Sequence, residues 1–184
     1  MTEQKSSVIE QFTIGGVPEH FSIPFYEGVK NKVFAQNGLD VRFEEYPRGT
    51  GSMCAALAEK KIDIAVALTE GLIMDKIENN GQFQIVATYV SSPLQWGAGV
   101  HPDAAYKSRS ELQDAVFGIS RLGSGSHIMG YVLATEEHWD TRKLKFQVKG
   151  GLTDLVNGIQ DKSCSVFLWE RFMVGALVLT LRSC

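Results

Sequence analysis

Three cysteines in 184 residues, Cys54, Cys164 and Cys184, are too few and too scattered for a disulfide framework or a paired-cysteine metal site. They read as small buried or incidental thiols in a reducing compartment. Basic charge is also missing: 18 Lys and Arg stand against 21 Asp and Glu, for a net charge of −3. The positive residues form no stripe, so a nucleic-acid partner is not expected. No apolar run approaches the roughly 20 residues that a bilayer-spanning helix needs. The best stretch, 172–181, is short and sits between Arg171 and Arg182, so no membrane partner is expected either. Residues 1–11 are polar and lack the apolar core of a secretory signal, which predicts a cytoplasmic location. No phosphate P-loop, nucleophile elbow or clear acid pair is present, so the residues imply no cofactor and assign no catalytic group.

What is there is an ordinary core. Hydrophobic residues make up 44% and charged residues 21% of the chain, a balance that suits a folded domain. Apolar spacing predicts strands and helices in alternation. Residues 12–15 read as a strand, 23–37 as a helix on the spacing of Phe25, Val29, Val33 and Phe34, and 39–46 as a strand. In the last, Leu39, Val41 and Phe43 alternate with Asp40, Arg42 and Glu44, as on a strand with one wet face. A helix over 52–61, a strand over 62–68, a helix over 70–79 and a strand over 83–89 follow. That order argues for a parallel sheet covered by helices.

Ser91-Ser92-Pro93 interrupts the series, and after it the pattern restarts. An extended stretch runs over 94–100, a short capped helix over 110–114, and a strand over 116–120. A helix over 126–137, a strand over 145–148, a helix over 152–161 and a strand over 165–169 complete the second series. The expected fold class is therefore α/β in two lobes, 8–92 and 93–170, with a tail at 171–184.

Two corners repeat one chemical idea. Arg48-Gly49-Thr50-Gly51-Ser52 and Arg121-Leu122-Gly123-Ser124-Gly125-Ser126-His127 each follow an expected strand and precede an expected helix. Glycines let successive N–H groups point one way, toward the positive end of the helix. Ser or Thr caps that helix or offers a hydroxyl to a guest. Arg48 and Arg121 can grip a carboxylate or phosphate with two parallel hydrogen bonds. Facing each other, the corners would clamp a small anionic or polar molecule. Taken singly, each reads more plainly as a strand-to-helix connector. Glu19 and Glu70 fall at helix starts and read first as dipole-stabilised carboxylates. Trp96 and Trp169 read as walls of a cleft, and Trp139 as packing at a helix end.

At residues 110–127 the pattern resembles the second-lobe entry of type II periplasmic binding proteins. Earlier pieces agree in order: Gly15-Gly16-Val17-Pro18-Glu19-His20, then Gly49-Thr50-Gly51-Ser52, then Ile62-Asp63-Ile64-Ala65-Val66-Ala67-Leu68-Thr69-Glu70. The resemblance runs over about 12–170. It is nearest to nitrate, taurine and sulfonate substrate-binding proteins, to their thiamine-pyrimidine-synthase relatives, and to fungal intracellular members of the fold. It implies a small-molecule ligand held between the lobes. It implies ligand positions at Val17, Pro18, His20, Thr50, Gly51, Ser52, Thr69, Glu70, Ser92, Ser124, Gly125, Ser126, His127, Gly151, Trp169 and Glu170.

The thiamine-related enzymes set the alternative function. They use an iron-linked Cys and His cluster, whereas here Cys54 and Cys164 fall in separate lobes and only His20, His127 and Glu70 are plausible metal ligands. Family members also continue beyond this length and return to the first lobe. Residues 171–184 do not resemble that continuation, which implies a truncated or spliced form with an incomplete second lobe. A non-binding isoform is the third reading, since an exposed apolar tail would make a sticky patch.

Overall fold

The computed structural model describes residues 10–176 and the strand Arg182–Ser183. The polar start at 1–9, residues 177–181 of the apolar tail and Cys184 lie outside the described residues. Three strands, β1 (Glu10–Gly16), β2 (Leu39–Glu45) and β3 (Ile64–Ala65), form one parallel sheet in the order β2-β1-β3. Phe12 pairs with Val41, and Ile14 sits between Phe43 and Ile64. Asp63, the one charge in an apolar run, secures that edge. Its carboxylate accepts the Thr13 N–H at 2.8 Å, while its own N–H donates to the Thr13 carbonyl at 2.9 Å. The expected strand over 62–68 is thus formed as a ladder only at Ile64–Ala65.

Two expectations fail in this lobe. The helix expected over 23–37 breaks into α1 (Ile23–Lys30) and α2 (Val33–Gln36), with Lys32 in the left-handed region at φ 56°. The chain folds back so that the Phe34 ring lies on Gly28, where a methyl would come within 2.6 Å of it. Four-residue periodicity cannot distinguish that return from a continuous helix. The strand expected over 83–89 is not formed; Ile85 and Val86 are 50% and 82% exposed. Alternating apolar residues make a strand only beside a neighbour that supplies ladder partners and cover. Here Tyr89 fixes the segment instead, donating to the Phe21 carbonyl at 2.9 Å and tilting against the Phe25 ring. The remaining helices of the lobe are α3 (Thr50–Ala58) and α4 (Thr69–Glu78).

The second sheet joins β4 (Trp96–Val100), β5 (Val116–Ile119), β6 (Lys145–Val148), β7 (Val166–Glu170) and β8 (Arg182–Ser183) in the order β6-β5-β7-β4-β8. β5 runs parallel to β6 and β7, and β4 runs antiparallel to β7. Successive residues of β7 feed opposite cores, as the two-residue period of a strand requires. Val166 joins Val100, Leu112, Phe117 and Leu133 from α5 (Gly125–Glu136). Phe167 joins Leu155 and Ile159 from α6 (Leu152–Gln160) and Val174 from α7 (Arg171–Ala176). This sheet therefore carries helices on both faces. The short helix expected over 110–114 is a 3₁₀ turn at Arg109–Leu112, with Leu112 fully buried.

Candidate functional site

The ends of β1, β5 and β7 and the starts of α3, α4 and α5 converge between the two sheets. Gly49, at φ 75°, bends the chain into α3 at a dihedral that side-chain-bearing residues rarely adopt. Thr50 is buried and its Oγ1 accepts the Leu68 N–H at 3.2 Å, tying the first corner to the entry of α4. Ser52 Oγ donates to the Gly49 carbonyl at 2.7 Å. Arg48 and Ser52 line a groove of about 380 Å³ made wholly of first-lobe residues, beside Glu45, Glu59 and Lys61.

The second corner is closed by its own hydroxyls. Ser124 caps α5, accepting the His127 N–H at 3.3 Å, and Ser126 Oγ accepts the Ser120 N–H at 3.0 Å. The two hydroxyls bond each other at 3.0 Å. His127 Nδ1 accepts the Gly123 N–H at 3.0 Å, which leaves its ring proton on Nε2. Burial among Phe146 and Tyr131 lowers its pKa, while Glu78 works the other way. Because Ser124 holds a buried N-cap, Ser124→Ala should cost about 1 kcal/mol of stability, read from a denaturant midpoint.

Several contacts join the lobes at this place. Arg121 lays its guanidinium over Gly51, on ground that a Cβ would occupy. Leu68 crosses to press on Gly125, where a methyl would lie 2.9 Å from it and 2.9 Å from Trp96 of the same lobe. A methyl at Gly151, the N-cap of α6, would sit 3.6 Å from the Pro47 carbonyl oxygen. Trp169 Nε1–H donates to Glu19 Oε1 at 3.1 Å, and His20 Nδ1 lies 3.8 Å from Glu170 Oε2. Glu170 is 4% exposed and accepts the Met173 N–H at 2.9 Å, so it caps α7. Glu19 does not cap its own turn. Burial pushes its carboxyl up to about 7; the charge of Glu170 adds to the rise and the Trp169 bond opposes it.

Other residues expected at the site stand apart from these contacts. The Val17 carbonyl accepts from Ser22 Oγ at 2.8 Å, and its side chain packs on the Met53, Ala56 and Ile62 core. Pro18, Thr69 and Ser92 are exposed, and Glu70 lies in the first turn of α4. Leu68, Pro47 and the cross-lobe role of Glu19 were not foreseen. No local motif announces a bond between residues 150 positions apart. Among the described residues, no three His, Cys, Asp or Glu converge as metal ligands, and no helix is long and apolar enough to cross a membrane.

Two sheets of this topology, flanked by helices and facing each other across one contact region, give the chain the periplasmic-binding-protein-like fold. Within it, residues 97–176 match the family model described as Ca3427-like PBP. The Candida albicans CA3427 gene product, described as exhibiting the generic periplasmic binding protein structural fold, is 26% identical and superposes with a TM-score of 0.80. The match covers 95% of this chain and 59% of that one, so the chain spans less than two thirds of its relative's length. The Escherichia coli periplasmic aliphatic sulphonate binding protein SsuA is 15% identical, with a TM-score of 0.73 over 95% of this chain and 56% of its own. The Xanthomonas axonopodis alkanesulfonate-binding SsuA, bound to MOPS, is 14% identical with a TM-score of 0.74, over 94% and 59%. No curated protein sequence matches the chain.

Proposed function

We propose that the protein binds a small molecule carrying an anionic group between its two lobes, taken as 8–92 and 93–170. One observation supports this reading above the others: the buried Nε of Arg121 has no hydrogen-bond partner among the described residues. Its guanidinium makes one bond, from Nη1 to the neighbouring Leu122 carbonyl at 3.0 Å, and otherwise lies across the start of α3. A cation at a helix N-terminus faces dipoles of its own sign. An unmatched buried donor costs about 1–3 kcal/mol. An oxyanion at that point would satisfy the guanidinium and the first-turn N–H groups together. The sulphonate and alkanesulfonate proteins of the same fold take ligands of this charge. Buried Cys54, whose thiol is pushed up to about 11 mainly by burial, suits a reducing, cytoplasmic setting and an inert thiol.

The test is a thermal-shift screen of the 184-residue chain against small carboxylates, sulfonates and phosphates, repeated on Arg121→Ala. Bound ligand stabilises by mass action, so one class should raise the melting temperature with concentration. Losing a charge-assisted bond of about 1.5–3 kcal/mol should weaken that class at least tenfold in the variant. A shift that Arg121→Ala leaves unchanged would remove the anion from the reading. No shift with any class would remove the binding role.

A further inference from the structure

We propose that Glu19, Trp169, His20 and Glu170 form a proton-operated latch between the lobes, shut while Glu19 keeps its proton and released when it ionises. The latch does not depend on a ligand. Glu19 leaves the loop after β1, and Trp169 and Glu170 end β7, so the Trp169 Nε1–H to Glu19 bond of 3.1 Å crosses from one lobe to the other. The charged groups that face this carboxyl are few. Glu170 lies beside it, 4% exposed and held by the Met173 N–H. His20, from the 3₁₀ turn after Glu19, reaches Glu170 Oε2 at 3.8 Å and packs edge-on against Phe172 of α7. Arg171, next along α7, is turned away. Its Nη1 donates to Gln95 Oε1 at 3.0 Å and its N–H to the Gln95 carbonyl at 2.8 Å.

Two carboxylates therefore share a half-closed interface, and one histidine faces them. Protonated, Glu19 still accepts the indole N–H through its carbonyl oxygen and repels nothing. Ionised, it needs water and distance from Glu170, and parting the lobes supplies both. Burial places that change near neutrality, at about 7.

The experiment follows two readouts on the full chain from pH 5.5 to 8.5. One is the Trp169 indole N–H resonance, assigned with Trp169→Phe. The other is the radius of gyration from small-angle scattering. The latch requires both to change together with a midpoint near 7 in the wild type, and both to stay flat in Glu19→Gln. Glu170→Gln, a milder change, should move the midpoint downward by removing the like charge, and it serves if Glu19→Gln does not fold. A flat radius in the wild type overturns the latch, even if the indole titrates. So does an unchanged midpoint in Glu170→Gln.

Discussion

Phe167→Ala should lower the unfolding free energy by about 3–5 kcal/mol, a large part of the roughly 5–15 kcal/mol a domain commands. Phe167 is fully buried at the middle of β7, the strand with β5 on one side and β4 on the other. Its ring packs with Leu155, Ile159 and Val174, so α6 and α7 both rest on it. It also lies where a methyl on Gly99 of β4 would be, at 2.5 Å. Removing the ring leaves a cavity that three elements and a ladder cannot collapse to fill. Adding a methyl at Gly99 attacks the same packing from the other side, and Gly99→Ala should cost about 1–3 kcal/mol. The check is a urea titration, with Phe172→Ala as control. Phe172 is 65% exposed and should move the midpoint by no more than about 0.5 kcal/mol equivalent. A Phe167→Ala midpoint as mild as that control would mean the second sheet is not held through β7.

The second sheet was legible because its signals are local and redundant. The apolar strands at Val116–Ile119 and Val166–Glu170 read correctly, and Ser124 does cap the helix that follows it. Asp63, the one charge in its apolar run, is the residue that pins β3 to β1. The run over 83–89 misled because β propensity describes a fit to a half-buried pleated surface, and this segment has no such surface. At the corners, the sequence located the glycines and hydroxyls well enough. It could not tell that the hydroxyls of Ser124 and Ser126 are engaged with each other and with nearby N–H groups, or that the Arg121 guanidinium lies over Gly51. Glu19 was legible only as a carboxylate near a turn. Its partner arrives on the last strand of the other lobe, and only the tertiary fold brings the two together.

Stability should fall as pH rises from about 4.5 to about 7, and Glu19 should carry most of that slope. Its ordinary value is 4.5 and its folded value about 7, so within this window the folded chain keeps a proton that the unfolded chain has released. The state that binds more protons is favoured as pH falls, so the contribution of Glu19 is complete below about 4.5 and gone above about 7. At about 1.4 kcal/mol per unit the whole effect reaches roughly 3 kcal/mol, and partial solvent access at the interface reduces it. Glu19→Gln keeps an acceptor for Trp169 and cannot ionise. It should match the wild type near pH 4.5 and exceed it at pH 8, with a flatter curve between. Urea midpoints at those two values decide the matter. Parallel curves for both proteins would mean that Glu19 titrates in the folded chain as it does in water, and that the cost of burying it beside Glu170 is met by hydration instead of by a proton.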